Sequence, residues 1–342
     1  MRIAINGFGR IGRSLLRVAL DKEVHSNIIC ANDLSPATTL AHLLKYDSAY
    51  GILPNEVTGQ DKSLKDHLSG EIIIDDKYSL GIISQPNPEK LPWRPLEIDV
   101  VVESTGLFTQ KADAQKHINA GAKRVIISAP PKDGEIKTFV IGVNDDKIGE
   151  EKIISNSSCT TNCITPVVKI ISDTLGIEKA MMTTIHAYTA DQNLQDGPHK
   201  DLRRARAAAY NIVPTTTGAA LSAAEVIPDI RGKFDGLAIR VPVITGSIAD
   251  IVILTRKKTT VSQVNQIFQD AVENAPYKGI VECTQDPIVS SDILGNCASA
   301  IVDLSLTKVI DGNLVKIVAW YDNEWGYSCR LLDMAIKVGK DI

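Results

Sequence analysis

The chain has 342 residues, 44% hydrophobic and 23% charged, with a formal net charge of −4. At about 100–200 residues per domain, that length predicts two domains with buried cores, and the composition excludes a disordered chain. A global basic field for gripping nucleic acid is absent, and no apolar run reaches the ~18 residues that a membrane helix needs, so neither nucleic acid nor membrane is expected as a partner.

The N-terminal MRIAINGFGR turns straight into a strand and a turn, with no signal-peptide pattern ahead of it. Residues 2–6 are a short apolar run ending at a glycine cluster. Ile11, Leu15, Leu16, Val18 and Ala19 then recur at helical spacing, and a second apolar run, 27–31, ends in Asn32-Asp33. This is one βαβ unit. A helix is expected over 37–46. The stretch 51–95 is rich in Gly, Pro and charge; strand-like pieces stand at 71–74 and 80–84, and the run around 59–70 reads as a surface excursion. The apolar strand 98–102, a helix ending near Gly121 and the strand 124–128 follow. Apolar strands alternating with helices predict a parallel sheet covered on both faces.

Short strands over 138–143 and 153–155 lead into SNSSCTTNCITP, and a helix is predicted over 160–174 with its stop at Gly176. Beyond it the pattern changes. Long β-branched runs at 181–189, 237–243, 247–255, 299–308 and 314–321 are interrupted by few helices, chiefly 217–226, 261–274 and 329–338. That predicts an α+β domain with a mixed, largely antiparallel sheet. The composition shift near residue 157 is the expected domain boundary.

Gly7-Phe8-Gly9-Arg10-Ile11-Gly12 has the spacing G-x-G-x-x-G. It follows a strand, opens a helix, and has Asp33 standing 21 residues after Gly12. Gly7 permits the tight turn, Gly9 a close backbone approach to a pyrophosphate, and Gly12 close helix–strand packing. The helix N-terminus offers free N–H groups to phosphate. Asp33 can accept from ribose hydroxyls, and its carboxylate would repel a 2′-phosphate, with no arginine among Leu34, Ser35 and Pro36 to offset it. NAD is therefore expected over NADP.

The six cysteines are Cys30, Cys159, Cys163, Cys283, Cys297 and Cys329; no C-x-x-C pair occurs among them. Neither a disulfide framework nor a metal site is expected, and a reduced, cytoplasmic setting is. Most cysteines are small buried hydrophobes. Cys159 differs, because it stands at a helix entrance among Ser157, Ser158, Thr160 and Thr161, where the helix dipole eases thiol ionisation. Six histidines could serve it, and chain position alone does not choose among them. His186 is set apart by ending an apolar strand beside Tyr188, Thr189, Asp191 and Gln192. Three pieces could bind anions: Ser158 and Thr160 at the cysteine's helix, Thr215-Thr216-Thr217-Gly218 opening another helix, and Arg203, Arg204, Arg206 and Arg240 as charged forks. Arg240 lies within an apolar strand, so an anionic partner is expected for it.

The segments INGFGRIGR, HLLKYDS, VVESTG, GAKRVIISAP, SNSSCTTNC, TTIHAYTADQ, HKDLRRARAAA, TTTGAA, LAIRVP and WYDNEWGYS run over essentially the whole chain. Together they closely resemble the phosphorylating glyceraldehyde-3-phosphate dehydrogenase family. The resemblance implies a doubly wound Rossmann domain with a parallel sheet over 1–157, a catalytic domain over 158–324, and a C-terminal helix, 325–342, packing back on the first domain. It makes Cys159 the nucleophile and His186 its base. It implies one anion site of Ser158, Thr160, Thr217 and Gly218 for inorganic phosphate. A second, of Thr189, Asp191 and Arg204, would hold the phosphate of glyceraldehyde 3-phosphate, with Arg240 near both. Cofactor contacts would come from Arg10, Ile11, Asp33, Ser128 and Asn323, and the assembly would be a homotetramer. The alternatives are erythrose-4-phosphate dehydrogenase and a non-catalytic, redox-sensing or partner-binding homologue. The chain departs from the family's usual pattern at RVPVITGSIAD, at Leu221 where a lysine is usual, in a longer 59–70 loop, and at Gly197.

Overall fold

The run β1 (Ile3–Asn6) is buried along its whole length, as a strand covered on both faces must be. The computed structural model describes residues 1–61, 67–340 and 342. Helix α1 (Arg10–Asp21) follows and buries Leu15, Leu16, Val18 and Ala19, leading to β2 (Ile28–Asn32). After α2 (Ala37–Lys45) come a two-residue hairpin, β3 (Tyr46–Asp47) with β4 (Gly51–Ile52), and the strands β5 (Val57–Gln60), β6 (Gly70–Ile74) and β7 (Tyr78–Ile83). The unit continues with β8 (Val100–Glu103), α3 (Lys111–Ala120), β9 (Arg124–Ile127) and β10 (Ile153–Ser155).

These strands form one sheet in the order β10-β9-β8-β1-β2-β7-β6-β5. The strands from β10 to β7 pair in parallel, and the order runs outward from β1 in both directions, which makes the sheet doubly wound. The last two strands, β6 and β5, are antiparallel and extend the sheet edge, and the expected surface excursion falls on the connection between them. Part of the unusual loop, residues 62–66, lies outside the described residues. The strand expected over 138–143 is not formed. Thr138 makes a single bridge to Ser155, and the chain from Val140 to Asp146 clusters with the second unit.

The first unit comprises Met1–Phe139, Lys147–Ser157 and Ser328–Ile342; the second comprises Val140–Asp146 and Ser158–Tyr327. In the second, α4 (Cys159–Thr174) is followed by β11 (Ile177–Ala187), β12 (Val213–Thr216), α5 (Ala219–Val226), β13 (Phe234–Val241), β14 (Ser247–Thr255) and α6 (Val261–Val272). Then come β15 (Val281–Thr284), β16 (Ala300–Asp303), β17 (Lys308–Ile310) and β18 (Leu314–Tyr321); the last helix, α7 (Trp325–Lys340), belongs to the first unit from Ser328 onward. The run predicted as one strand over 299–308 is broken, because Asp303 caps a 3-10 turn at Leu304–Leu306 through the Ser305 N–H.

The sheet order is β12-β13-β11-β14-β18-β16-β15, with antiparallel and parallel pairs mixed. In β14 buried and partly exposed residues alternate strictly, as expected of a sheet with one face against helices. On the core side Ile251, Ile253 and Ile317 meet Ile164, Val168 and Ile171 of α4. That packing fixes α4 against the sheet that carries His186 on β11 and Arg240 on β13.

Candidate active site

Before α4 the backbone makes a tight turn. Ser157 takes a left-handed φ of 53°, and its N–H is held by Ser155 Oγ at 2.9 Å. That conformation costs a non-glycine residue on the order of 1–2 kcal/mol. Ser158 is the N-cap of α4, its Oγ accepting the Thr161 N–H at 3.1 Å. Cys159 is thus the first residue of a capped helix, partly exposed, while Cys163 one turn on is fully buried.

His186 lies near the end of β11, and parallel pairing sets it directly beside Arg240 of β13. This register brings three predicted residues into a line. Cys159 Sγ is 3.4 Å from His186 Nε2, and His186 Nδ1 is 2.7 Å from Arg240 Nη1. The Ala187 carbonyl accepts from Arg240 at 3.1 Å and lies 2.7 Å from His186 Nδ1. Arg240 Nε is buried without a hydrogen-bond partner. No carboxylate hydrogen-bonds Arg240 among the described residues; the anionic group that feels its charge is Asp191.

Burial works against the ease of ionisation expected of Cys159 at its helix entrance. Burial pushes the Cys159 thiol above its ordinary value, against the opposing pull of Arg240 and of hydrogen bonds from Thr160. Burial and the Arg240 guanidinium together press His186 down to about 3. At neutral pH the ligand-free site therefore holds a thiol beside a neutral imidazole.

A second cluster forms around Arg204. Its Nε donates to Thr215 Oγ1 at 3.0 Å and its Nη2 to the Thr216 carbonyl at 3.2 Å, while Nη1 pairs with Asp191. Thr189 donates to the same carboxylate. Burial would raise Asp191, but the Thr189 hydrogen bond and the charges of Arg240 and Arg204 hold it below the usual carboxylate range. Arg204 pairs directly with Asp191, whereas Arg240 meets the same carboxylate only through its charge. The Thr217 hydroxyl accepts the Ala219 N–H at 3.2 Å, and Gly218 caps α5 with open space where a Cβ would stand. Two predicted anion ligands are engaged elsewhere: Ser158 Oγ caps its own helix, and the buried Thr160 hydroxyl lies 2.9 Å from Tyr321 Oη.

In the first unit Gly7 takes φ 92°, and a Cβ there would lie 2.7 Å from Thr105 N. A Cβ on Gly12 would meet the Gly7 carbonyl at 2.4 Å, so the turn and α1 are in contact only because both lack side chains. At Gly9, the N-cap of α1, a Cβ would meet nothing within 4 Å. That open space in front of a helix N-terminus fits a dinucleotide phosphate. The Asp33 carboxylate accepts from Phe8 N at 3.0 Å and Ser35 N at 2.9 Å, which fixes it beside the turn. Ile11 lies in the first turn of α1, and Ser128 follows β9 with its N–H on the Glu103 carbonyl. The Arg10 guanidinium is turned away to Asp47 and stacks on Tyr50, so a cofactor would meet its backbone and not its charge. In the second unit, the buried Asn323 accepts from Gly246 N and Ser247 Oγ through Oδ1, which leaves the amide nitrogen as its ligand end.

The family profile described as "Glyceraldehyde 3-phosphate dehydrogenase, NAD binding domain" matches residues 1–111, and that of its C-terminal domain matches 158–323. The chain belongs to the glyceraldehyde-3-phosphate dehydrogenase family. A relative of that name from Streptomyces coelicolor is 51% identical over 344 residues, covering 100% of this chain and 99% of the relative. Relatives of the same name from Mycolicibacterium smegmatis and Mycobacterium leprae are 52% and 50% identical, with the same coverage. NAD is accordingly the cofactor, and the first sheet is the Rossmann fold expected for it.

The structure also adds a residue to the site that its sequence did not single out. Tyr321 Oη lies 2.9 Å from Thr160 Oγ1 and 2.8 Å from Thr184 Oγ1, and its ring meets His186 edge-on. It ties the residue after Cys159 to the strand of His186. The only sequence signal was its place in WYDNEWG, two residues before Asn323. The departures are absorbed locally. Leu221 is exposed on α5, and RVPVITGSIAD forms a turn whose Gly246 approaches Ser290 too closely for any side chain.

Proposed function

We propose that this chain oxidises glyceraldehyde 3-phosphate with NAD and inorganic phosphate, giving the acyl phosphate 1,3-bisphosphoglycerate through a thioester on Cys159. The observation that carries the reading is the line Cys159–His186–Arg240, with a guanidinium at its end whose Nε has no hydrogen-bond partner among the described residues.

The chemistry follows from this geometry. Cys159 Sγ adds to the aldehyde carbon as its proton passes to His186 Nε2. A neutral imidazole at neutral pH is the form that can take it. The Cys159 N–H at the helix entrance and the imidazolium stabilise the oxyanion, which becomes the hydroxyl of a hemithioacetal. NAD, when bound, supplies the hydride acceptor that converts this adduct to a thioester. His186 removes the hydroxyl proton in that step. A phosphate oxygen then attacks the thioester carbon, the C–S bond breaks, and the sulfur regains its proton from His186. Gly7, Gly9, Gly12, Asp33 and the backbone of Arg10 and Ile11 would hold the dinucleotide, with Ser128 and Asn323.

Arg204, Asp191 and Thr189 form the seat for the substrate's phosphate, and Thr217 and Gly218 with Arg240 that for the attacking phosphate. The Ser158 and Thr160 hydroxyls contribute there only by leaving their contacts with Thr161 and Tyr321. Arrival of an anion at Arg240 cancels the charge that presses His186 toward neutrality, so substrate binding itself makes the imidazole a stronger base. NADH formation from glyceraldehyde 3-phosphate, compared with erythrose 4-phosphate in phosphate buffer, tests the assignment. A higher kcat/KM for the tetrose would refute it.

The chain is read as a cytoplasmic homotetramer. Its support is the exposed apolar side of the second sheet, with Met181 at 68% and Leu237 at 45% exposure, and a loop that exposes Leu202, Tyr210 and Ile212. All six cysteines are free, in keeping with a reducing compartment. A solution mass of four chains by sedimentation checks the assembly.

A further inference from the structure

Glu103 ends β8 and is almost wholly buried, yet the proposed chemistry does not use it. All four of its hydrogen-bond partners are donors. Oε1 accepts the Thr105 N–H at 2.8 Å and the Thr105 hydroxyl. Oε2 accepts Asn6 Nδ2 at 2.5 Å and lies 3.1 Å from His117 Nε2. The direction of that last contact is set from behind. Trp93 Nε1 can only donate, and it stands 3.0 Å from His117 Nδ1. Nδ1 is therefore an acceptor, and the proton on Nε2 points at Glu103. Trp93 and His117 are both fully buried, so this tautomer has no water to relax it.

The carboxylate joins two segments that meet at the glycine-rich turn. Asn6 is the residue before Gly7, and its Oδ1 accepts from Asn32 Nδ2 at 2.7 Å. Ser104 Oγ donates to the Gly7 carbonyl at 2.7 Å, and Gly7 packs against the Thr105 backbone too closely for a Cβ. The turn and the wall behind it are thus fastened to one side chain.

We propose that Glu103 is a positioning residue for the cofactor: through Asn6 and Thr105 it holds the glycine-rich turn in the shape that receives the pyrophosphate of NAD. The proposal rests on the reading that this turn is the phosphate seat.

Glu103→Gln is the matching change. A carboxamide of the same shape has one acceptor oxygen and must aim its NH2 at donors on one side. His117 cannot switch tautomer without stranding the Trp93 N–H. The amide therefore turns its NH2 onto Thr105, N–H against N–H, and displaces the wall behind Gly7.

The test is calorimetric titration of cofactor-stripped, full-length protein with NAD and with ADP-ribose, alongside urea unfolding. In Glu103→Gln both Kd values rise about tenfold, the expected scale for one lost bond to a charged group. The KM for NAD rises in step and kcat does not. Thr105→Val, which loses only the hydroxyl contact, moves Kd the same way by less, and decides the matter if Glu103→Gln does not fold. Gly9→Ala is the control, since its Cβ meets nothing within 4 Å in the protein and clashes only with a ligand there. If Gly9→Ala weakens NAD while Glu103→Gln and Thr105→Val bind it as wild type at a lowered urea midpoint, Glu103 serves the fold alone and the proposal is overturned. If Gly9→Ala binds NAD as wild type, the phosphate seat itself is misassigned, and the proposal falls with it.

Discussion

Cys159 Sγ and His186 Nε2 stand 3.4 Å apart, brought together by the first turn of one helix and the last residues of one strand. Arg240, on the far side of the imidazole, acts on the two in opposite senses. It favours the thiolate and disfavours the imidazolium. Burial is the larger influence on both groups, and an anion that covers the guanidinium would shift the two in opposite senses.

Cys159 is expected to be the fastest-alkylating thiol. Burial drives Cys30 to about 12 and Cys283 to about 11, and lifts Cys163 well above its ordinary value, while Cys159 alone of these is also pulled down by Arg240. Brief iodoacetamide treatment followed by peptide mapping should place the label on Cys159, and His186→Asn should slow both labelling and turnover. Preferential labelling of Cys163 or Cys283 would remove the nucleophile assignment.

Acid should destabilise the protein through His186. Its folded value is about 3 against an ordinary 6.5, so between those limits the unfolded chain binds a proton that the folded one refuses. Stability is undiminished above pH 6.5 and falls as pH drops, by at most about 1.4 kcal/mol per unit from this group. Urea midpoints between pH 7 and 4.5 should fall less steeply in His186→Asn. Parallel slopes in the two proteins would place the imidazole's proton elsewhere.

Asp33→Ala should weaken NAD by on the order of 1.5–3 kcal/mol and relax the bias against NADP. The carboxylate both orders the turn, through the Phe8 N–H, and stands where a 2′-phosphate would be repelled. Competitive titration of the two cofactors reads the ratio; a variant that kept the wild-type ratio would relieve Asp33 of the discrimination.

Tyr321→Phe should lower stability by about 1–3 kcal/mol, because the buried Thr160 and Thr184 hydroxyls each lose a partner. It should also slow alkylation of Cys159, since Thr160 hydrogen bonds help to hold the thiol down. An unaltered urea midpoint would show that water replaces the phenol.

The parts of the fold that were legible in the chain are those written in local pattern. The βαβ unit could be read because Gly7, Gly9, Gly12 and Asp33 stand at a fixed spacing that the backbone itself requires. The helix entrance at Cys159 was announced by its capping serine. The strands β6 and β7 were legible as well, but neither β5 and its antiparallel pairing nor the break at Leu304–Leu306 could be read that way, because one depends on pairing and the other on a side-chain cap within an apolar run. His186 was singled out by its surroundings, but its partnership with Arg240 lies in the register of β11 against β13, a relation between residues 54 apart. The engagement of Arg10 by Asp47, of Thr160 by Tyr321 and of Glu103 by His117 is invisible for the same reason: each pairs segments that only the folded sheet brings together.

The thioester is the centre of the proposed reaction, and it should form without phosphate but leave slowly. Stopped-flow mixing of enzyme, NAD and glyceraldehyde 3-phosphate in phosphate-free buffer should give a rapid NADH burst of up to about one per active site, then slow hydrolytic turnover. Phosphate or arsenate should restore steady turnover. Arg240→Leu should blunt that rescue, because Arg240 offers an anion both its charge and an Nε that has no partner among the described residues. A steady rate indifferent to phosphate, with no burst, would contradict the thioester and its phosphorolysis together.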